Sequence, residues 1–203
     1  MNPLLIFCIV LAALLLAGVG FYFLNVIVAS YMIYTKTLVR KDASMWSREP
    51  DLPYPLDEMD RVGQEWMHAH SAQKQDVHIQ RDDVNLYGEY YNLGYDRAVM
   101  VLSGRTESLR YGYYFASPYA RAGFNVLVVD PRAHGMSDGK YNTLGFEESK
   151  DTLQWVRYLH ENHRVRSVVL HGICIGAANG MLAMTSPDCP DYVDGIVTEG
   201  MFT

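Results

Sequence analysis

Apolar and polar positions divide the chain into three stretches. From Met1 to Thr35 no side chain is charged, and Leu4 to Val28 is almost unbroken Leu, Ile, Val, Ala and Phe. About 20 apolar residues suffice to cross a bilayer, so this run predicts a membrane helix. Ser47 to Pro55 carries Pro50, Pro53 and Pro55 and predicts an extended linker. From Leu56 to about Ser71, Met59, Val62, Trp66 and Ala69 recur at helical spacing, which predicts an amphipathic helix. Asp76 to Gln80 and Val84 to Tyr91 alternate apolar and polar around Arg81-Asp82-Asp83, which predicts a hairpin opening a sheet.

Beyond Tyr91 the alternation gives way to continuous apolar runs at Ala98–Leu102 and Val126–Val129, with shorter ones at Val168–Leu170 and Gly195–Val197. Such runs suit parallel strands covered on both faces. Helical patterns lie between and beside them, at Tyr111–Ala122, Phe146–Asn162 and Gly176–Thr185; in the second, Leu153, Val156 and Leu159 share a face. Repeated strand–helix units after an antiparallel entry predict an α/β fold with a mostly parallel, doubly wound sheet. The expected organisation is a membrane anchor at 1–35, a juxtamembrane linker and amphipathic helix at 36–74, and the α/β core at 75–203.

Composition narrows the partners. A formal net charge of -6 over 203 residues argues against nucleic acid. Three scattered cysteines, Cys8, Cys174 and Cys189, form neither a disulfide framework nor a zinc site, and no cofactor or metal is expected. Lys36, Arg40 and Lys41 follow the apolar run directly, which places the N-terminus outside and the remainder in the cytoplasm. Free thiols fit that reducing compartment. A cleaved leader fits poorly, because no basic residue precedes the run and it exceeds the usual apolar region of about 7–15 residues.

The candidate chemistry centres on His171-Gly172-Ile173-Cys174-Ile175-Gly176-Ala177-Ala178, directly after the Val168–Leu170 run. Gly-x-Cys-x-Gly between a buried strand and a helix suits a sharp turn that lifts a nucleophile above the sheet edge. Glycines two residues either side avoid a collision across that turn, and the first amides of the next helix face the reacting centre. Catalytic groups in such sheets gather at the carboxyl ends of the strands, which here means the loops after Leu102, Val129 and Leu170.

These residues resemble the α/β-hydrolase superfamily, in particular its lysophospholipase, monoacylglycerol-lipase and serine-aminopeptidase-like branch. Three motifs carry the resemblance in order: Ser103–Ser108, similar to His-Gly-x-x-Glu; Asp130–Gly139, similar to Asp-x-Arg-Gly-His-Gly-x-Ser; and the turn Gly172–Gly176. The resemblance implies Cys174 as nucleophile, with the backbone N–H groups of Ile175 and Arg105 as an oxyanion hole and Gly104 allowing close approach. It also implies a structural role for Asp130, Arg132, His134 and Ser137. The chain departs from the pattern at Ser103, Ala133 and Ile173, and at Cys174, where serine is usual. A cysteine nucleophile occurs in dienelactone-hydrolase-like members, and a thiol needs less help from a base than an alcohol does.

In the superfamily the catalytic acid follows the seventh strand and the histidine the eighth. Both are expected beyond Thr203, so the core at 75–203 reads as incomplete. The implied function is a single-pass, membrane-anchored hydrolase of acyl bonds (ester, lysophospholipid, thioester or small amide) acting on a small-molecule or lipid-derived substrate. The alternative is a catalytically inactive hydrolase-like module tethered to the bilayer. The other chemistry-bearing residues have plainer readings. His171 reads as a core histidine, His160 and His163 as helix-end residues, and His68 and His70 as unable to share a helical face for a metal. Glu199 reads as a strand-end residue or as the acid, and Glu107 as a helix-start residue. Tyr111, Tyr113 and Tyr114 read as packing, Cys189 as loop packing and Cys8 as filler in the apolar run.

Overall fold

The computed structural model describes residues 2–41, 46 and 57–200; the expected linker Ser47–Pro55 lies outside them. The chain separates into two units, 1–39 and 40–203. The first unit is helix α1, Pro3–Thr37, opened by Asn2, whose Oδ1 accepts the Leu4 N–H at 3.0 Å. Its most apolar 18-residue stretch has a mean hydropathy of 2.9, and none of its residues is buried. That length and composition suit a membrane span or a signal sequence.

The second unit contains α2 (Asp57–Ala69), β1 (Lys74–Arg81), β2 (Val84–Tyr91), β3 (Arg97–Leu102), α3 (Tyr113–Arg121), β4 (Asn125–Val129), α4 (Glu148–His163), β5 (Ser167–Ile173), α5 (Ile175–Met184) and β6 (Val193–Glu199). The strands form one sheet in the order β1-β2-β4-β3-β5-β6. β1 and β2 are the expected hairpin, β2 meets β4 antiparallel, and β4, β3, β5 and β6 run parallel.

The continuous apolar runs are explained by two cores. Along β3, Ala98, Met100 and Leu102 point into the core shared with Trp155, Val156 and Leu159 of α4, whereas Val99 and Val101 point to the opposite core with Tyr113 and Ala116 of α3. A strand covered on both faces has no position for a solvated side chain. Helices α4 and α5 therefore form one outer layer, and α2 and α3 the other.

Two predicted helices start later than their periodicity implies. Tyr111–Ala122 resolves into a 3-10 turn at Leu109–Gly112 followed by α3. The pattern beginning at Phe146 becomes helical only at Glu148. There the Glu148 carboxylate turns back to accept the N–H groups of Thr143 at 2.7 Å and Gly145 at 2.9 Å. Those bonds hold the preceding loop in a turn rather than in the helix.

Candidate active site

Cys174 stands between the end of β5 and the first residue of α5 with φ 53° and ψ -115°. Few residues other than glycine adopt such a backbone, and strain of this kind persists only where the surroundings enforce it. Here they do. A Cβ on Gly172 would lie 2.4 Å from Ala177 Cα, and one on Gly176 would lie 2.2 Å from the carbonyl oxygen of Leu102. The turn can close only with hydrogens at both positions. Its fixed end is the Cys174 N–H, which donates to the Glu199 carbonyl at 2.8 Å. The Cys174 side chain is exposed, and among the described residues no side chain hydrogen-bonds it. It caps the N-terminus of α5, so the first amides of that helix lie beside it.

The approach of Gly176 to Leu102 O and Ser103 O brings the loop after β3 against the start of α5. That loop is a tight turn. The Glu107 carboxylate accepts the Gly104 N–H at 2.8 Å, and Thr106 adopts φ 69°. Glu107 is thus not at a helix start, as its sequence context implies: it closes the turn that contains Arg105. A Cβ on Gly104 would lie 2.6 Å from Glu107 Oε2, so the carboxylate packs against the glycine itself. Burial pushes the Glu107 carboxyl up, opposed by the Gly104 N–H.

His134 is fully buried and belongs to this turn, not to the thiol. Its Nδ1 lies 2.8 Å from the Arg132 carbonyl, and its Nε2 accepts the Thr106 N–H at 3.2 Å. That pairing fixes Nδ1 as the protonated nitrogen. Trp46 stacks on the ring at 4.6 Å. Burial pulls the imidazole down to about 4, so it is neutral at physiological pH. The rest of the loop after β4 is equally well satisfied. Asp130 accepts the N–H groups of Leu109 at 2.7 Å and Met136 at 2.8 Å, and Ser137 donates to the Asp130 carbonyl at 2.7 Å while accepting the Tyr87 N–H at 2.9 Å. Arg132 forms two 2.7 Å bonds with Asp151 of α4, which Arg81 of β1 also reaches at 2.5 Å.

The remaining candidates fall elsewhere. His171 is buried beside α3: Tyr119 Oη lies 2.8 Å from its Nδ1, Phe115 packs on the ring at 4.6 Å, and Glu199 Oε1 is 3.6 Å from Nε2. Burial lowers its pKa and Glu199 opposes the shift. His160 Nδ1 lies 2.8 Å from the Val165 carbonyl, His163 packs on Tyr90, and His70 Nδ1 lies 2.8 Å from the Trp66 carbonyl. Cys189 is in a loop near the Pro190 carbonyl, and Cys8 is on α1. Tyr114 is partly exposed, whereas Tyr113 is buried with its hydroxyl 2.7 Å from Glu89. Glu89 is a buried carboxylate that also accepts from Tyr87, Tyr91 and Lys74. It escapes a sequence reading because its position in β2 looks like the polar face of a hairpin. The signal lay in the tyrosines at 87 and 91, which share its strand face and supply hydroxyl donors.

This strand order, with a strained cysteine after β5 and backbone-tight glycines around it, defines a hydrolase-type α/β fold. The family described as alpha/beta hydrolase fold matches residues 97–201, and the chain belongs to it. An uncharacterized protein of Bacillus subtilis, YqkD, is 32% identical over 96 residues, which make up 47% of this chain and 30% of that protein. The esterase Pf2001 of Pyrococcus furiosus superposes with a TM-score of 0.57 at 25% identity, covering 77% of this chain and 57% of the esterase. An alpha-beta hydrolase from Vibrio vulnificus superposes with a TM-score of 0.51 at 17% identity, covering 72% of this chain and 57% of that one, a likeness of fold. The chain thus spans little more than half the length of these solved relatives and about a third of YqkD.

Proposed function

We propose that this chain carries the nucleophile half of a membrane-anchored acyl-bond hydrolase with Cys174 as nucleophile. The observation that carries the reading is the exposed thiol held at φ 53°, ψ -115° at the cap that precedes α5. Attack of the thiolate on a substrate carbonyl forms a carbon–sulfur bond and places negative charge on the carbonyl oxygen. The N–H groups of Ile175 and Arg105 are assigned to that oxyanion: Ile175 begins α5, and Arg105 lies in the turn clamped by Glu107 and His134. Collapse expels the alcohol, thiol or amine and leaves a thioester, which water then hydrolyses.

The deacylating water still needs a general base. His134 and His171 are engaged with other groups, so the reading requires a histidine and a supporting acid from outside the described residues. The anchor is assigned to α1 with the hydrolase unit on the cytoplasmic side, and lipid-derived esters are the substrate class that this location favours. The test is labelling of the complete natural protein with an acyl-directed activity probe and a thiol-directed one. Labelling lost in Cys174→Ala at unchanged circular dichroism supports the enzyme; equal labelling of both proteins refutes it. The second reading, an inactive tethered module, draws on the lack of any side-chain partner for the thiol among the described residues, and it predicts no turnover in either protein.

A further inference from the structure

The loop joining β4 to α4 carries a cluster of exposed apolar side chains: Met136, Tyr141, Leu144 and Phe146 are 61%, 44%, 52% and 67% exposed. Leu182 of α5, itself 51% exposed, borders them, its Cδ1 lying 2.9 Å from where a Cβ on Gly145 would stand. The loop leaves the carboxyl end of β4, the same end of the parallel strands at which Cys174 follows β5. Lysines flank the rings: Lys150 Nζ lies 4.0 Å from the Phe146 centroid and Lys140 Nζ 5.7 Å from that of Tyr141. The acidic groups beside them are Asp138, exposed, and Glu147, which pairs with Arg81 and Lys150.

A second observation says what this surface meets. Arg40 is clamped on this loop, with Nη2 2.9 Å from Gly135 O, Nη1 3.0 Å from Ser137 O and its own N–H 2.8 Å from Lys140 O. In the sequence Arg40 follows Thr37, the last residue of the apolar helix, by three positions, a covalent reach of at most about 11 Å. A chain anchored through that helix carries this loop near the headgroups. We propose that loop 136–146 is an interfacial surface that inserts its apolar side chains into an anionic bilayer and so presents the Cys174 end of the sheet to lipid-borne substrate. Aromatic and aliphatic tips with lysines beside them match the boundary between headgroups and acyl chains, where such side chains sit about 5–10 Å deep. This inference rests on the anchored reading above.

The test uses the full chain in vesicles of phosphatidylcholine and phosphatidylglycerol, with and without brominated acyl chains. Phe146→Trp adds a reporter to the loop, and Tyr95→Trp adds one just before the amino end of β3, the opposite end of the parallel strands. Brominated lipid is expected to quench the emission added by Phe146→Trp by about twofold and to leave that added by Tyr95→Trp unchanged. Equal quenching of the two reporters overturns the proposal. So does a blue-shifted, unquenched Phe146→Trp, which would mean that protein covers the loop. A chain that fails to float with the vesicles overturns it together with the anchored reading. In the complete protein, Leu144→Ser with Phe146→Ser is expected to raise the KM for a vesicle-borne ester about tenfold and leave a soluble ester unaffected; an unchanged vesicle KM overturns the proposal. Inactivity on both esters would sink the hydrolase reading alone, because the quenching comparison does not depend on turnover.

Discussion

At residue scale, the turn at Cys174 trades stability for exposure of sulfur. Cys174→Gly removes a side chain from a positive-φ position and is expected to raise folding stability by about 1 kcal/mol while removing one of the three free thiols from the labelling stoichiometry. A denaturant midpoint and a labelling assay on one sample check both halves. Gly176→Ala is the opposite case. Its Cβ would meet the Leu102 and Ser103 carbonyl oxygens at 2.2 and 2.6 Å, and rigid backbone on both sides cannot yield. A loss of about 3 kcal/mol or more is expected in urea unfolding. His134 adds a pH dependence. Unfolded, its imidazole titrates near 6.5; folded, it stays neutral down to about 4. Between those values the unfolded chain binds the extra proton, so the contribution is complete above about 6.5 and is lost as pH falls toward 4. It amounts to about 3 kcal/mol, and His134→Gln should flatten that part of a stability–pH curve. The glycines and the cysteine were legible in the sequence because a short local turn dictates them. The His134–Thr106 bond was not, because it joins loops that only the strand order β4-β3 brings together.

At the scale of elements, the site depends on loops held by carboxylates from elsewhere. Asp151 on α4 holds Arg132 of the loop after β4 and Arg81 of β1, all three largely buried. Asp151→Asn takes the carboxylate from Arg132 and leaves Arg81 with Glu147 and Asp82, and it is expected to cost about 3 kcal/mol. Hydrogen exchange should rise first in residues 130–140 rather than in β3 or β5. Periodicity located α4 and put Leu153, Val156 and Leu159 on one face, and all three are buried, Val156 and Leu159 in the core against the sheet. Periodicity could not give the true start at Glu148, because that boundary is set by a side chain turning back on the preceding amides.

At the scale of the whole molecule, β6 is an edge strand, paired only with β5 among the described residues, and Val197 is 44% exposed on it. Open edges template pairing with other chains. Val197→Lys is therefore expected to lower concentration-dependent light scattering of the 203-residue chain without moving its unfolding midpoint. The sequence by itself determined the apolar N-terminal helix, the mostly parallel sheet and the turn bearing Cys174, because each follows from the order of neighbouring residues along a strand, a helix or a tight bend. Tertiary structure alone decided which histidines are spoken for, which carboxylates are buried and which loops face one another. Those outcomes depend on a strand order that puts β4 between β2 and β3, and on long-range bonds among side chains far apart in the chain. No local pattern of apolar and polar positions records such pairings.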